Sequence, residues 1–256
     1  MRILLITIAF LSVVVDTLAL ATTEQGIISA RAEVARTPQR ADLHVTLAEL
    51  LAKRGRETAD HDFYKQSLTA AEDALTIEPN HIGASRAKIW ALLGQHEFLK
   101  AKQMASKLNK RVPDDLLTYA LLVDADIELG NYAAAEEAAQ WLLDMRPGGL
   151  AGLTRAAYLR ELYGDLEGSI LLLTQAIESS PGTDPEQHAW LMVHLAHLHL
   201  QLGRIEVAEQ ILQQANQAFP SYHYALRHLI NVSLAKDEIP RALKYAERFY
   251  RAAPHP

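Results

Sequence analysis

Six prolines divide most of this chain into segments of nearly equal length. The intervals between them are 34, 34, 34, 39 and 34 residues, and the prolines are Pro79, Pro113, Pro147, Pro181, Pro220 and Pro254. Each interval contains two apolar patterns of helical period separated by a turn, and proline suits the end of the second helix because it has no N–H to continue it. A fixed period of this length is typical of helix pairs stacked in a row.

The composition agrees with one elongated array. The chain has 256 residues, of which 49% are apolar, so it can bury a large core, and stacked copies of one unit form a single domain. The net charge is −6 and the basic residues form no stripe, which argues against a nucleic-acid partner. The absence of cysteine excludes disulfides, thiolate metal sites, a cysteine nucleophile and a lipoprotein anchor.

The first residues have the pattern of a signal peptide. Arg2 precedes the apolar run Ile3–Val15, and Ala19–Ala21 is a small-x-small cleavage pattern. The sequence therefore predicts a signal peptide over 1–21, cleaved after Ala21, and a periplasmic or secreted protein. The alternative is an uncleaved anchor, but Asp16 interrupts the run before the ~20 residues that a membrane span needs. No membrane span is expected after cleavage.

The remainder divides into an N-terminal capping helix over 22–40 and a repeat solenoid over 41–256. In the first repeat we expect the first helix to end at Gly55, followed by a polar insertion near Arg56–Asp62. Glycine suits the turn inside each repeat because it adopts positive φ without a Cβ clash. The turns of repeats two to six are expected at Gly94, Gly130, Gly164, Gly203 and Asp237.

Residue types also recur within the intervals. The third repeat has an aromatic and a leucine in its first helix, glycine and an aromatic at the turn, alanine in its second helix and proline at its end: Tyr119, Leu122, Gly130, Tyr132, Ala135 and Pro147. This pattern resembles the tetratricopeptide repeat, and the match covers about Ala41–Pro256. The resemblance implies an all-α, right-handed superhelical solenoid of about six helix pairs, preceded here by a half-repeat helix. It also implies a concave groove, made by the first helices, that binds a protein or peptide.

The same resemblance assigns particular positions of the first helices to the groove. They carry a mixture of aromatic, acidic and basic side chains: Lys88, Asp124, Glu128, Tyr158, Glu161, Trp190, His197, Tyr224, Arg227 and Asn231. Because tyrosine, tryptophan and arginine most often provide binding energy in interfaces, the C-terminal half of the groove is the expected binding region. The lysines and asparagines that hold chaperone C-termini in the family are absent, which disfavours that partner.

Asp126 stands in an apolar helix where the family usually has an aromatic residue, so its carboxylate needs a partner. Arg155 and Arg160, in the next repeat, are the nearest candidates. One interpretation is a structural ion pair between repeats three and four. The other is that Arg155 and Arg160 are free to bind a ligand carboxylate in bidentate fashion.

Six of the eleven histidines lie within 188–228. His194 and His197 share a helical face, and His228 or His223 in the next first helix would provide a third ligand for a transition metal. The alternative is that these histidines are hydrogen-bonded at helix seams. No cofactor and no enzymatic activity are expected, since the sequence has no phosphate loop, nucleophile elbow or strand pattern.

At the C-terminal edge we expect Tyr245, Phe249 and Tyr250 to be exposed among arginines and lysines. This edge self-associates or docks on a partner, unless the stems of its basic side chains cover it. Taken together, the sequence predicts an exported interaction scaffold or assembly factor of the cell envelope. A metal-binding accessory protein is the alternative.

Overall fold

The computed structural model describes residues 22–180 and 182–253, and in this part of the chain every regular element is an α-helix. The thirteen helices are α1 (Thr23–Arg36), α2 (Ala41–Thr58), α3 (Asp62–Ile77), α4 (Ile82–Gly94), α5 (Phe98–Arg111), α6 (Leu116–Glu128), α7 (Tyr132–Met145), α8 (Leu150–Leu162), α9 (Leu166–Ser179), α10 (Pro185–Gln201), α11 (Ile205–Ala218), α12 (His223–Ala235) and α13 (Ile239–Ala252). The predicted signal peptide, 1–21, lies outside the described residues. Among the described helices none is long and apolar enough to span a membrane.

The helices form six successive pairs, from α2 with α3 to α12 with α13, and α1 packs against α2. First helices of neighbouring repeats also touch, as in α2 with α4, α4 with α6 and α6 with α8. Each pair therefore buries its apolar face partly within itself and partly against its neighbours, as in other repeat arrays. The predicted all-α solenoid of six helix pairs is confirmed.

Small residues in the second helices allow the two helices of a pair to approach closely. Ala135 and Ala208 are completely buried and Ala242 is nearly so. A larger side chain at these positions would separate the helices. In the first repeat Ser67 takes this place, and its hydroxyl donates a 2.7 Å hydrogen bond to the carbonyl of Ala48. The serine is thus buried without leaving a polar atom unsatisfied.

The turns follow the prediction except in two repeats. Gly130, Gly164 and Gly203 have φ of +74°, +81° and +72°, and Asp237 adopts the same left-handed region with φ of 58°. Gly94 was expected to do so in the second repeat, but it is the last residue of α4, and His96 takes positive φ instead.

Gly94 has a different requirement. A Cβ atom built at this position would overlap the ring of Tyr64, which packs directly on the backbone of α4. The glycine is needed for this close contact between α3 and α4, and the turn itself is made by His96.

The second departure is at Gly55. The helix was expected to end there, but α2 continues through it to Thr58 and ends at Ala59, which has φ of 57°. The expected polar insertion is therefore partly helical. α2 has 18 residues, whereas α4, α6, α8 and α12 have 13 each, so α2 is longer by more than one turn.

The extra length of α2 brings the first repeat into contact with the fifth and sixth. Arg56 Nη2 lies 2.5 Å from Glu186 Oε2 in α10. The other carboxylate oxygen of Glu186, which is 1% exposed, accepts a 2.8 Å hydrogen bond from the Tyr222 hydroxyl. A buried carboxylate is costly unless it is paired and hydrogen-bonded. Glu186 therefore depends on both partners in the folded chain.

Two further bonds flank this ion pair. Lys53 Nζ lies 2.7 Å from Asp184 Oδ2, and His223 Nε2 lies 3.0 Å from the carbonyl oxygen of Arg56. Burial acts to raise the pKa of Asp184, but the hydrogen bonds from Lys53 and the Gln187 N–H outweigh it, and the pKa is lowered. We call this group the closure contact, and it consists of Lys53, Arg56, Asp184, Glu186, Tyr222 and His223.

Candidate functional site

A cavity of about 1240 Å³ lies between the first helices of repeats one to five. It is bounded by α2, α4, α6, α8 and α10, and Arg56 of the closure contact forms part of its wall. The volume exceeds the ~300–1,000 Å³ typical of small-molecule pockets, so several residues of an extended chain fit inside. Its charged and aromatic lining consists of Glu49, Arg56, Arg86, Trp90, Asp124, Glu128, Arg146, Arg155, Tyr158, Glu161, Trp190 and His194.

Aromatic rings from three first helices face this cavity. In α4, Trp90 lies under the guanidinium of Arg56, and its ring centroid is 5.7 Å from Arg56 Cζ. In α10, Trp190 packs on His194, and the centroids of the two rings are 4.0 Å apart. Tyr158 of α8 is 40% exposed. Such rings offer large contact area at small entropic cost, which suits them to bind a partner's side chains.

Two cavity arginines are paired with carboxylates of neighbouring residues in the fold. Arg155 Nη2 lies 2.5 Å from Asp124 Oδ2, and its Nε donates to the carbonyl of Ala120 at 2.9 Å. Arg86 binds both carboxylate oxygens of Asp115, at 2.9 and 2.5 Å. Both guanidinium groups therefore have their charge compensated before any ligand arrives.

The predicted pairing of Asp126 needs correction. Its partner is Lys102 of α5, with Nζ 2.5 Å from Oδ1, because Asp126 faces the preceding repeat and not the following one. An ion pair between repeats three and four does exist, but it joins Arg155 to Asp124. Arg160 pairs with Asp165, which caps α9, at 2.5 Å. The two arginines therefore do not converge, and the predicted two-arginine clamp is not assembled.

Glu161 of α8 faces the cavity and is held by α10. Its Oε1 accepts a 2.7 Å hydrogen bond from Gln201 and lies 3.3 Å from His197 Nε2. The bond from His197, helped by the bond from Gln201, lowers the pKa of Glu161 despite partial burial. Glu161 is therefore ionised at neutral pH.

Glu128, the last residue of α6, lines the same cavity as Tyr158. The pKa of the Tyr158 phenol is raised, first by partial desolvation and then by the negative charges of Glu128 and Glu161. Tyr158 and Glu161 are three residues apart in α8 and so share a helical face.

Other predicted groove residues lie elsewhere. Lys88 pairs with Glu72 of α3 at 2.8 Å, at the seam between α3 and α4. Arg227 lies over the ring of Tyr224 at 5.9 Å, and Asn231 is exposed on the same helix, α12. None of these four side chains lines the described cavity. Lys88 therefore lies at a helix seam of the second repeat, whereas Tyr224, Arg227 and Asn231 belong to the sixth repeat.

Glu49, Arg56 and Trp90 were not among the predicted groove residues. Glu49 and Trp90 lie in first helices at positions that face inward, so a strict helical register could have found them. Arg56 could not be found this way, because it belongs to the part of α2 that was expected to be a loop.

The histidines do not assemble the predicted metal site. His194 Nδ1 is 2.9 Å from the carbonyl oxygen of Trp190, and His197 is engaged by Glu161 and Gln201. The rings of His197 and His228 are tilted, with centroids 5.4 Å apart. Over residues 22–180 and 182–253 no group of three histidine, aspartate or glutamate side chains is placed to hold a metal ion. Hydrogen bonding at helix seams explains His194 and His197.

Comparison with known families agrees with the repeat geometry. Two tetratricopeptide repeat models match the chain, one over residues 121–183 and the other over 162–230. Residues 121–230 of this chain are therefore tetratricopeptide repeats. Proteins built from tetratricopeptide repeats are generally interaction scaffolds. No curated protein sequence matches this one significantly.

Solved structures of tetratricopeptide repeat proteins share the fold. A thermophilic protein of Thermus thermophilus gives a TM-score of 0.62 at 20% identity, covering 81% of this chain and 98% of that chain. A protein of Parabacteroides merdae gives a TM-score of 0.63 at 17% identity, and the match covers 90% of this chain and 86% of that chain. A chain of the APC/C hetero-tetramer Cut9–Hcn1 gives 0.72 at 15% identity, covering 92% of this chain and 44% of that chain. At these identities the likeness concerns the fold alone.

Proposed function

We propose that this tetratricopeptide repeat protein is an exported scaffold or assembly factor that binds a peptide or protein segment in its concave cavity. The observation that carries the proposal is the cavity of about 1240 Å³ with Trp90, Tyr158 and Trp190 on its walls. Its size suits an extended segment, and its rings are of the kind that anchor protein partners. A metal-binding role receives no support from the histidines.

A random peptide library presented to the protein tests the binding proposal. We expect enriched peptides whose affinity falls at least roughly ten-fold in Trp190→Ala and in Tyr158→Ala, since truncated anchor residues cost this much or more. Leu171→Ser is the matched control, because Leu171 is exposed on α9 and does not line the cavity. Peptides that bind the parent and the two cavity variants equally would place the binding surface elsewhere and overturn the proposal.

Export rests on the pattern of residues 1–21. A fusion of residues 1–40 to alkaline phosphatase, which is active only where its disulfides form, reports the compartment. We expect activity in bacterial cells and a processed product that begins at Thr22. Leu11→Arg in the apolar run should abolish both. An inactive parent fusion would refute export, and an active fusion that keeps its first residue would favour the uncleaved anchor.

Self-association through the C-terminal edge stays a prediction. Tyr250 is 70% exposed and Leu243 is 62% exposed, whereas Tyr245 is partly covered by Arg241 and Arg248. Light scattering at tens of micromolar should report a dimer that Tyr250→Ser with Leu243→Ser dissociates. A monomer at this concentration would remove the prediction.

A further inference from the structure

The charge balance of the cavity indicates what kind of segment it binds. The cavity arginines Arg56, Arg86 and Arg155 are each paired with a carboxylate of the chain, as described above. Three cavity carboxylates have no such compensation: within the described residues Glu49, Glu128 and Glu161 form no ion pair with a lysine or arginine.

One positive charge partly offsets them. Arg146, which is exposed in the loop after α7, lines the cavity and forms no ion pair within the described residues. The paired groups cancel, so three carboxylates stand against one guanidinium, and the surplus charge of the cavity is negative.

The backbone adds to this negative potential. Glu128 is the last residue of α6 and Glu161 is the last but one of α8. The C-terminus of a helix carries a partial negative charge, so carboxylates there are unfavourable unless a cation is near. Glu161 is held by the side chains of Gln201 and His197, whereas Glu128 has no comparable bond to any residue that the structure describes. A cation supplied by a partner would relieve both.

Tyr158 provides the third element of such a site. It lines the cavity together with Glu128 and Glu161, it is 40% exposed, and it shares a face of α8 with Glu161. A lysine or arginine side chain placed over a tyrosine face gains cation–π attraction in addition to the ion pairs. The apolar walls around Trp190 and Leu121 then suit the neighbouring residues of the segment.

We propose that the cavity binds a segment with a lysine or arginine side chain, which Glu128, Tyr158 and Glu161 receive, beside apolar or aromatic residues that contact Trp190. This inference rests on the proposed function and names the class of its partner. The charge of the cavity disfavours an acidic segment, because like charges would be brought together with little water between them.

Three peptide pools test it. The peptides of each pool are twelve residues long and have the same randomised apolar and aromatic positions. The pools differ only in the central residue, which is arginine in the first, glutamine in the second and glutamate in the third. Fluorescence anisotropy measures binding to the protein. We expect the arginine pool to bind roughly ten-fold more tightly than the glutamine pool, and the glutamate pool to bind most weakly. Raising the salt concentration should weaken the binding of the arginine pool and of no other pool.

The variant Glu128→Gln/Glu161→Gln should remove the preference for arginine, so that the arginine pool and the glutamine pool bind to it with similar affinity. Glu136→Gln/Glu137→Gln, on the exposed face of α7, is the matched control and should keep the preference. Circular dichroism establishes that each variant is folded. Glu128→Gln alone, which breaks no hydrogen bond described above, separates loss of charge from loss of structure.

The two proposals fail in different ways. If all three pools bind with equal affinity and Trp190→Ala abolishes binding, the cavity binds segments but does not select a basic one. If the arginine preference survives Glu128→Gln/Glu161→Gln, these carboxylates do not provide it and the inference is wrong. If no pool binds in a Trp190-dependent manner, the proposed function fails and the inference fails with it.

Discussion

The guanidinium of Arg56 and the carboxylate of Glu186 lie 2.5 Å apart although 130 residues separate them in the sequence. Arg56 belongs to the extended end of α2, and Glu186 stands in the first turn of α10. Glu186 is almost completely buried, so its charge depends on Arg56 and on the hydroxyl of Tyr222. This pair is the centre of the closure contact.

Reversing the charge of Glu186 should separate the first repeat from the fifth. In Glu186→Lys two cations face each other. Because each repeat otherwise contacts mainly its neighbours, little else holds the first repeat near the fifth. We therefore expect the radius of gyration from small-angle X-ray scattering to rise by roughly a few ångström. The free energy of unfolding should fall by about 3 kcal/mol, as when a buried ion pair is broken. Glu178→Lys, at an exposed position of α9, should change neither quantity. An unchanged radius of gyration in Glu186→Lys would show that the contact does not set the shape.

Gly94→Ala should destabilise the protein even though Gly94 is helical. Alanine favours a helix over glycine by about 1 kcal/mol, but the new Cβ would overlap the ring of Tyr64. Forced repacking of this kind costs about 1–3 kcal/mol, so we expect a net loss near 1 kcal/mol in urea denaturation. Gly26→Ala is the control, because its Cβ would lie 3.3 Å from Leu50 Cδ2, a flexible side-chain end. Equal or greater stability of Gly94→Ala would contradict the proposed reason for this glycine.

Lys102→Met should leave the buried carboxylate of Asp126 without its cation. We expect a loss of about 2–4 kcal/mol in the free energy of unfolding at pH 7. The double variant Lys102→Met/Asp126→Leu should recover most of this loss, since an apolar pair of similar volume needs no compensation. If the double variant is no more stable than Lys102→Met, the ion pair does not account for the cost.

Mild acid should destabilise the protein through His228. Burial, followed by the charges of His197 and Arg227, lowers the pKa of His228 to about 4, whereas the unfolded chain takes up this proton near 6.5. The unfolded state therefore binds more protons between these values, and stability present above pH 6.5 is lost as the pH falls to about 4. The loss is on the order of 3 kcal/mol.

The measurement is a series of urea denaturations between pH 7 and pH 4. His228→Gln should have a shallower pH dependence than the parent protein over this range. Burial also lowers the pKa of His194 and of His223, so a part of the slope should remain. A parent and a variant with the same slope would show that His228 does not titrate in this way.

Much of the fold could be predicted because it is local and repeated. The proline interval, the alanines of the second helices and the glycines at the turns each act within one helix pair or between neighbours, so each copy of the repeat supports the same interpretation. Two copies depart from the pattern, at Gly55 and at Gly94. A Cβ atom built at Gly55 would lie 3.0 Å from the ring of Tyr64, and one built at Gly94 would lie closer still, a contact that the repeat pattern does not contain.

The side-chain partners were harder to predict. Asp124 and Asp126 are two residues apart and so point to different neighbours, and only the helix orientation decides which one meets Arg155 and which one meets Lys102. The closure contact was still harder to predict from the sequence. Its formation depends on small rotations that accumulate over several repeats, and no single repeat determines their sum.

The extra turn of α2 also affects how this protein unfolds. In an array whose repeats touch only their neighbours, the terminal repeats fray first and the middle persists, so unfolding is gradual. Here the first repeat is bonded to α10 and to the start of α12. Loss of the first repeat exposes the charge of Glu186, and loss of the fifth exposes Arg56. Each half of the chain therefore stabilises the folded state of the other. We expect the array to unfold more cooperatively than an array whose repeats contact only their neighbours.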